Sequence, residues 1–120
     1  LKLLSTIEEL DAALAASSIR PILIFKHSLS CGTSAVADEE MQDLMAGPPL
    51  GIDVYLVRIQ SARGVSNEIE RRLRVRHESP QVLLVDAGRV VWGATHYRVT
   101  AAAITAAISS AQVAPRARDL

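Results

Sequence analysis

Pro21-Ile22-Leu23-Ile24-Phe25-Lys26-His27-Ser28-Leu29-Ser30-Cys31-Gly32-Thr33-Ser34 decides both the fold and the chemistry of this chain. Ile22 to Phe25 is apolar on both faces, the pattern of a strand whose sheet is covered by helices on each side. Small polar residues from Ser28 to Ser34 break that run. A 3.6-residue period follows, with Val36 or Ala37, Met41, Leu44 and Met45 on one stripe, until Gly47-Pro48-Pro49 stops it. The stretch reads as strand, short loop and helix, with Cys31 where the helix opens.

The flanks extend this unit. Ile52-Asp53-Val54-Tyr55-Leu56-Val57 reads as a second strand, so strand, helix and strand form a right-handed parallel unit. Upstream, Ser5-Thr6-Ile7-Glu8-Glu9 offers two overlapping capping boxes, Ser5 with Glu8 or Thr6 with Glu9. Ile7, Leu10 and Leu14 then mark one helical stripe ending near Ser17, and Leu1 to Leu4 reads as a short edge strand. Downstream, Ser66 is expected to cap a helix buried through Ile69 and Leu73. Its surface pairs would be Glu68 with Arg71 and Arg72, and Glu70 with Arg74. Pro80 precedes Val82-Leu83-Leu84-Val85, and Asp86-Ala87-Gly88-Arg89 turns this run into Val90-Val91-Trp92, a hairpin. Thr100 caps a last helix buried through Ala103, Ile104, Ala107 and Ile108, and the tail after Val113 loses its period and is expected to fray. The expectation is one α/β domain over residues 1–120, a three-layer sandwich with a mixed central sheet and flanking helices.

Composition narrows the function. Thirteen Lys and Arg balance thirteen Asp and Glu, so no overall field draws nucleic acid or an anionic membrane, and neither is expected as a partner. Hydrophobic residues at 49% against 22% charged describe a globular chain, not a disordered one. The single cysteine excludes an internal disulfide, an all-cysteine zinc site and an iron–sulfur cluster held by one chain. No run approaches the length of a membrane span, and the cytoplasm is the expected location.

Cys31 is the residue on which chemistry is expected. At a helix N-terminus, unpaired amides and the positive dipole end favour thiolate over thiol. Lys26 and His27 at the strand end would add positive charge if they turn toward the sulfur. The competing reading is that Cys31 is an inert small core residue. Ser34 stands one helical turn on, where a dithiol motif would have its second cysteine; its hydroxyl can hydrogen-bond to a thiolate but cannot form a disulfide. The plainer alternative makes Ser34 an early-helix capping residue, and His27 a strand-end histidine bonded to a loop. His27, Cys31, His77 and His96 match no zinc spacing, so no metal is expected. Pro80 is tolerated as the first residue of its strand, whether its peptide bond is cis or trans.

These motifs together resemble the YtxJ-like family, the monothiol bacilliredoxins of the thioredoxin-like superfamily. The resemblance runs through Phe25-Lys26-His27-Ser28-Leu29-Ser30-Cys31-Gly32-Thr33-Ser34 and Ser66-Asn67-Glu68-Ile69, and is strongest in His77-Glu78-Ser79-Pro80-Gln81-Val82-Leu83-Leu84. It continues through Gly88-Arg89-Val90-Val91-Trp92 and Thr95-His96-Tyr97. It implies a thioredoxin-like fold with Cys31 as nucleophile and Pro80 as a cis-proline beside it. The implied chemistry is removal of bacillithiol, a low-molecular-weight thiol, from mixed disulfides on client proteins, with no bound cofactor. Lys26, Gly32, Thr33, Ser79 and Pro80 would then contact the small thiol. Bacillithiol carries a malate group, so Lys26 first, then Arg58, Arg63, Arg76 and Arg98, are the cations to place. Where family members often carry Ser-Thr-Arg-Cys-Pro, this chain has Ser28-Leu29-Ser30-Cys31-Gly32, which loses a basic residue and a helix-opening proline. The competing functions are a glutaredoxin-like transferase using glutathione or another small thiol, and a non-catalytic adaptor binding peptides beside Pro80. The oligomeric state is not legible.

Overall fold

The computed structural model describes residues 1–28 and 32–113, without the side chains at 32, 33 and 113. The expected fraying tail after Val113 lies outside the described residues. Strand β1 (Lys2–Leu3) leads into helix α1 (Ile7–Ala16), whose start is settled by competition between the two capping boxes. The Glu9 carboxylate accepts the Thr6 and Ser5 amides at 3.0 and 2.9 Å, while the Thr6 hydroxyl accepts the Glu9 amide at 3.2 Å. One carboxylate therefore satisfies both amides, and Glu8 is released to solvent.

Strand β2 (Ile22–His27), helix α2 (Gly32–Ala46) and strand β3 (Asp53–Arg58) form the expected parallel unit. Helix α3 (Arg63–Leu73) follows, then the hairpin of β4 (Gln81–Asp86) and β5 (Arg89–Thr95), a short 3-10 helix at His96–Arg98, and α4 (Ala101–Val113). The five strands lie in the order β1-β3-β2-β4-β5, with β4 antiparallel to both β2 and β5. Ala87 and Gly88 turn the hairpin with φ of 52° and 76°, the left-handed pair that suits the twist of a two-residue connection.

Side-chain alternation sorts the core into two layers. Ile22, Ile24, Tyr55, Val57, Leu83 and Val85 pack with Leu10 and Ala13 of α1 and Val65 and Ile69 of α3. Leu23, Phe25, Val54, Val82 and Leu84 pack on the other side with Ala37 and Met41 of α2 and Ile104 and Ile108 of α4. The chain is thus a three-layer α/β sandwich with a mixed sheet. The α2 stripe is narrower than its periodicity suggests: Ala37, Met41 and Leu44 are buried, whereas Val36 and Met45 are exposed.

Two further expectations are corrected at α3. The helix begins at Arg63 rather than after Ser66, because Ser66 turns inward: it is buried, and its Oγ lies 3.3 Å from His77 Nδ1. Glu70 does not reach Arg74; its carboxylate accepts the His77 amide at 2.6 Å, and Arg74 leaves the helix in the left-handed region at φ 55°. The Glu68 pairs do form, with Arg71 at 2.7 Å and Arg72 at 2.8 Å. Arg72 also reaches Asp11 and so ties α3 to α1.

Candidate functional site

The site is framed by the end of β2 and the start of α2. The Ser28 amide donates to Ser34 Oγ at 3.3 Å, and Ser34 is fully buried. That bond ties the residue after β2 to the first turn of α2. A hydroxyl that accepts here still has its own proton to donate. On the far side of Ser28, its hydroxyl accepts from Gln60 Nε2 at 2.8 Å, anchoring the loop to the segment after β3. Cys31 lies outside the described residues; α2 begins with the next residue, Gly32, and takes in Thr33.

Because β2 alternates, its two candidate cations go to opposite sides of the sheet. His27 follows Phe25 onto the α2 side, their rings 5.7 Å apart and tilted by 53°. Lys26 follows Ile22 and Ile24 onto the α3 side. It is no surface cation: its side chain is 0% exposed, and Nζ donates to Gln81 Oε1 at 3.1 Å. The expectation that Lys26 meets an anionic thiol directly is corrected accordingly, since strand alternation turns it inward. Burial holds its ammonium down to about 8, against a partial upward pull from the Glu70 and Glu78 carboxylates. The same burial effect lowers His77, with the Lys26 charge adding to it.

Gln81 links this interior cation to the next loop. It pairs with Lys26 in the β2–β4 register and returns its amide to the Arg76 carbonyl at 3.1 Å. It directly follows Pro80, which is buried, and the Ser79–Pro80 peptide is cis. The Pro80 carbonyl accepts from the His96 amide at 3.0 Å, so the 3-10 turn sits beside the proline segment. Ser79 is half-buried there. Glu78 stands between Arg76 and His96, 3.9 Å from each, and Tyr97 is 74% exposed next to them. Arg58, Arg63, Arg76 and Arg98 are all exposed. Lys26 and Pro80 thus belong to adjoining ends of β2 and β4, while Gln60, Gln81 and Glu78 complete the surroundings without having been singled out from the sequence. Strand alternation is the signal that would have found Gln81, as it would have turned Lys26 inward.

The family model for monothiol bacilliredoxin BrxC matches residues 2–104. The chain belongs to the monothiol bacilliredoxin family. A solved structure described as that of a candidate oxidoreductase with a thioredoxin fold is 25% identical, with TM-score 0.77 over 90% of this chain and 92% of that one. The thioredoxin of Fasciola hepatica is similar at TM-score 0.73 and 13% identity, covering 92% of this chain and 99% of its own. That of Malassezia sympodialis is similar at 0.72 and 14%, covering 94% and 91%. At such identities the two thioredoxins speak for the fold alone. This bacilliredoxin has one cysteine in its 120 residues, so its thiol redox chemistry is monothiol. Among the described residues no helix is long and apolar enough to cross a membrane.

Proposed function

We propose that this bacilliredoxin removes bacillithiol from mixed disulfides on client proteins, with Cys31 as the nucleophile. The observation carrying the proposal is membership of a monothiol bacilliredoxin family by a chain with one thiol, at the β2–α2 junction. The Cys31 thiolate attacks the bacillithiol sulfur of the mixed disulfide; the sulfur–sulfur bond to the client breaks and the client thiolate leaves. Cys31 now carries bacillithiol. A second bacillithiol attacks that sulfur, leaves as the symmetric disulfide and restores the thiolate.

Ser34 fits this cycle because a hydroxyl cannot intercept the adduct, and its proton is available to a thiolate. His27, on the α2 side, is the imidazole closest in sequence to the sulfur. The first turn of α2, with Gly32 and Thr33, and the Ser79-Pro80 segment would form the walls against which the small thiol lies. Arg58, Arg63, Arg76 and Arg98 supply exposed positive charge for its malate, a task Lys26 is too buried to perform. The cycle requires abundant free thiol, so the cytoplasm is its setting.

The test offers a model protein–bacillithiol disulfide to the wild type and to Cys31→Ser. Release by the wild type alone, with one bacillithiol adduct seen by intact mass when free thiol is withheld, supports the reading. Equal release by both removes Cys31 from the mechanism, and faster turnover with a glutathione disulfide reassigns the thiol. Stable client binding by Cys31→Ser with no transfer by either protein makes the chain an adaptor.

A further inference from the structure

We infer that two copies of this protein pair through the free edge of β5, the strands antiparallel about Trp92 and the two α4 helices side by side above them. The sheet has two edges, and they differ. β1 is two residues long, a short edge strand of the kind that discourages further pairing, whereas β5 runs from Arg89 to Thr95. The His96 amide is bonded inward to the Pro80 carbonyl, so by alternation Gly93 and Thr95 turn their amides and carbonyls toward the open side. Long edges are ordinarily guarded by lysine, proline or an inward-pointing charge. β5 has no lysine and no proline, and Arg89 at its first position is its one charge.

What lies beside that edge is apolar. A register shift at Leu84/Val85 leaves Val91 opposite no residue of β4, a bulge that lets the consecutive Val91 and Trp92 line one groove. The groove holds about 440 Å³, and its other wall is α4, through Ala106, Ala107, Ser110 and Ala111. A void of about 150 Å³ already takes a benzene ring, so large side chains can enter. Val91 itself is 53% exposed at the groove's lip. From Ala101 to Val113, α4 carries no charged residue, although Ala102, Ala106 and Ser110 face solvent; α1, α2 and α3 each carry acids or bases. Depletion of charge marks the core of an interface.

The occupant that fits is the same surface turned about a two-fold axis. Full overlap of two β5 strands centres on Trp92, the middle residue. Each copy then offers its exposed Val91 to the other's groove, knob and groove on one patch, as an isologous contact requires. The charges agree. Arg89 makes no ion pair among the described residues, and the pairing sets it opposite Thr95 of the second copy, next to that copy's His96 and Glu78. Glu78 is met within its own chain only at 3.9 Å, by Arg76 and His96, and its side chain is 37% exposed. Base and acid therefore meet at both ends, and a shifted register loses both contacts. A strand about 24 Å long, with a sheet and helix layer about 20 Å deep, presents roughly 500 Å² a copy and about 1,000 Å² in the pair. That is the lower limit of a specific interface, so the dimer exchanges with monomer. An extended segment of another protein would pair with the edge but bring no second α4 to the uncharged helix face.

The experiment is sedimentation equilibrium of the full chain, kept reduced with a phosphine so that no disulfide links two copies. Monomer should give way to dimer between about 1 μM and 1 mM. Trp92 is the only tryptophan, so its emission should move to the blue along the same curve. Val91→Lys should raise the concentration of half-association more than about tenfold and hold the emission at its monomer wavelength. Arg89→Glu should weaken pairing, and Arg89→Glu combined with Glu78→Arg should restore it. A monomer at every concentration overturns the inference, whatever else the edge then binds. So does a dimer indifferent to Val91→Lys, or one that forms with Trp92 emission unmoved. If Val91→Lys does not fold, Ala106→Glu on the outer face of α4 carries the same test. No readout involves thiol transfer, so the outcome is independent of the proposed function.

Discussion

Replacing Lys26 by methionine should remove a pH dependence of stability that the wild type owes to this one side chain. An ammonium lowered from 10.5 to about 8 by burial disfavours the folded state by about 3 kcal/mol wherever it is charged in both states. The sign follows from proton counting. Between about pH 8 and 10.5 the unfolded chain binds a proton that the native state has released, so stability rises with pH across that window. Below pH 8 both states hold the proton and the full cost remains. Lys26→Met has no such proton. Urea unfolding of both proteins at intervals from pH 7 to 10.5, in a Cys31→Ser background so that the sulfur does not titrate alongside, isolates the term. Tyr55, Tyr97 and Lys2 are present in both and cancel. The wild type should gain about 3 kcal/mol on the variant over that range. At pH 7 the variant's advantage is smaller, because Gln81 Oε1 loses its donor at a cost of about 1–3 kcal/mol. Parallel stability curves would falsify the claim that burial governs this ammonium.

Other perturbations read the frame around the site. Ser34→Ala removes the hydroxyl that accepts the buried Ser28 amide and should cost about 1 kcal/mol in urea unfolding; an unchanged midpoint would show that bond to be dispensable. Glu40 accepts the Ala101 amide at 3.0 Å and so caps α4 from α2. Glu40→Ala should lose about 1 kcal/mol, with hydrogen exchange fastest in the first turn of α4, and uniform exchange would contradict this account. A methyl at Gly93 would sit 3.3 Å from both Leu83 Cδ2 and the Val82 carbonyl, and the carbonyl belongs to a paired strand that cannot yield. Gly93→Ala should therefore lower stability by about 1 kcal/mol, and a gain would mean that β5 shifts freely.

Most of the architecture is legible in the sequence because local signals and burial agree. The apolar run of β2, the Thr6–Glu9 box, the Ala87-Gly88 turn and the Thr100 cap each state their element within a few residues. The misreadings share a cause: a polar side chain satisfied by a residue distant in sequence. Ser66 looks like a cap until His77 comes within reach, and Glu70 looks like half of a surface pair until the His77 amide claims it. Lys26 differs, since its inward turn is available from the sequence. Ile22, Ile24 and Lys26 share one face by strand period, and that face is buried. The apolar run ends at Phe25, but the strand period carries on to the charge one residue later.

Ser34 joins the frame of the site to its chemistry. As the acceptor for the Ser28 amide it holds the start of α2 against the end of β2 from a fully buried position. A thiol there would accept that amide only weakly. Ser34→Cys is accordingly expected to do two opposed things. Reduced, it should lose about 1 kcal/mol as the acceptor weakens. Oxidised, it should close a disulfide with Cys31, seen as the loss of two hydrogens by intact mass and of all reactivity toward alkylating reagents. The bacillithiol adduct on Cys31 should then vanish, because the internal thiol resolves it before a second bacillithiol arrives. Failure to close under strong oxidation would place the two side chains apart and count against the hydroxyl acting on the sulfur. Closure with no change in adduct lifetime would mean that the introduced thiol cannot reach the adduct, and that the serine is kept for the bracket alone.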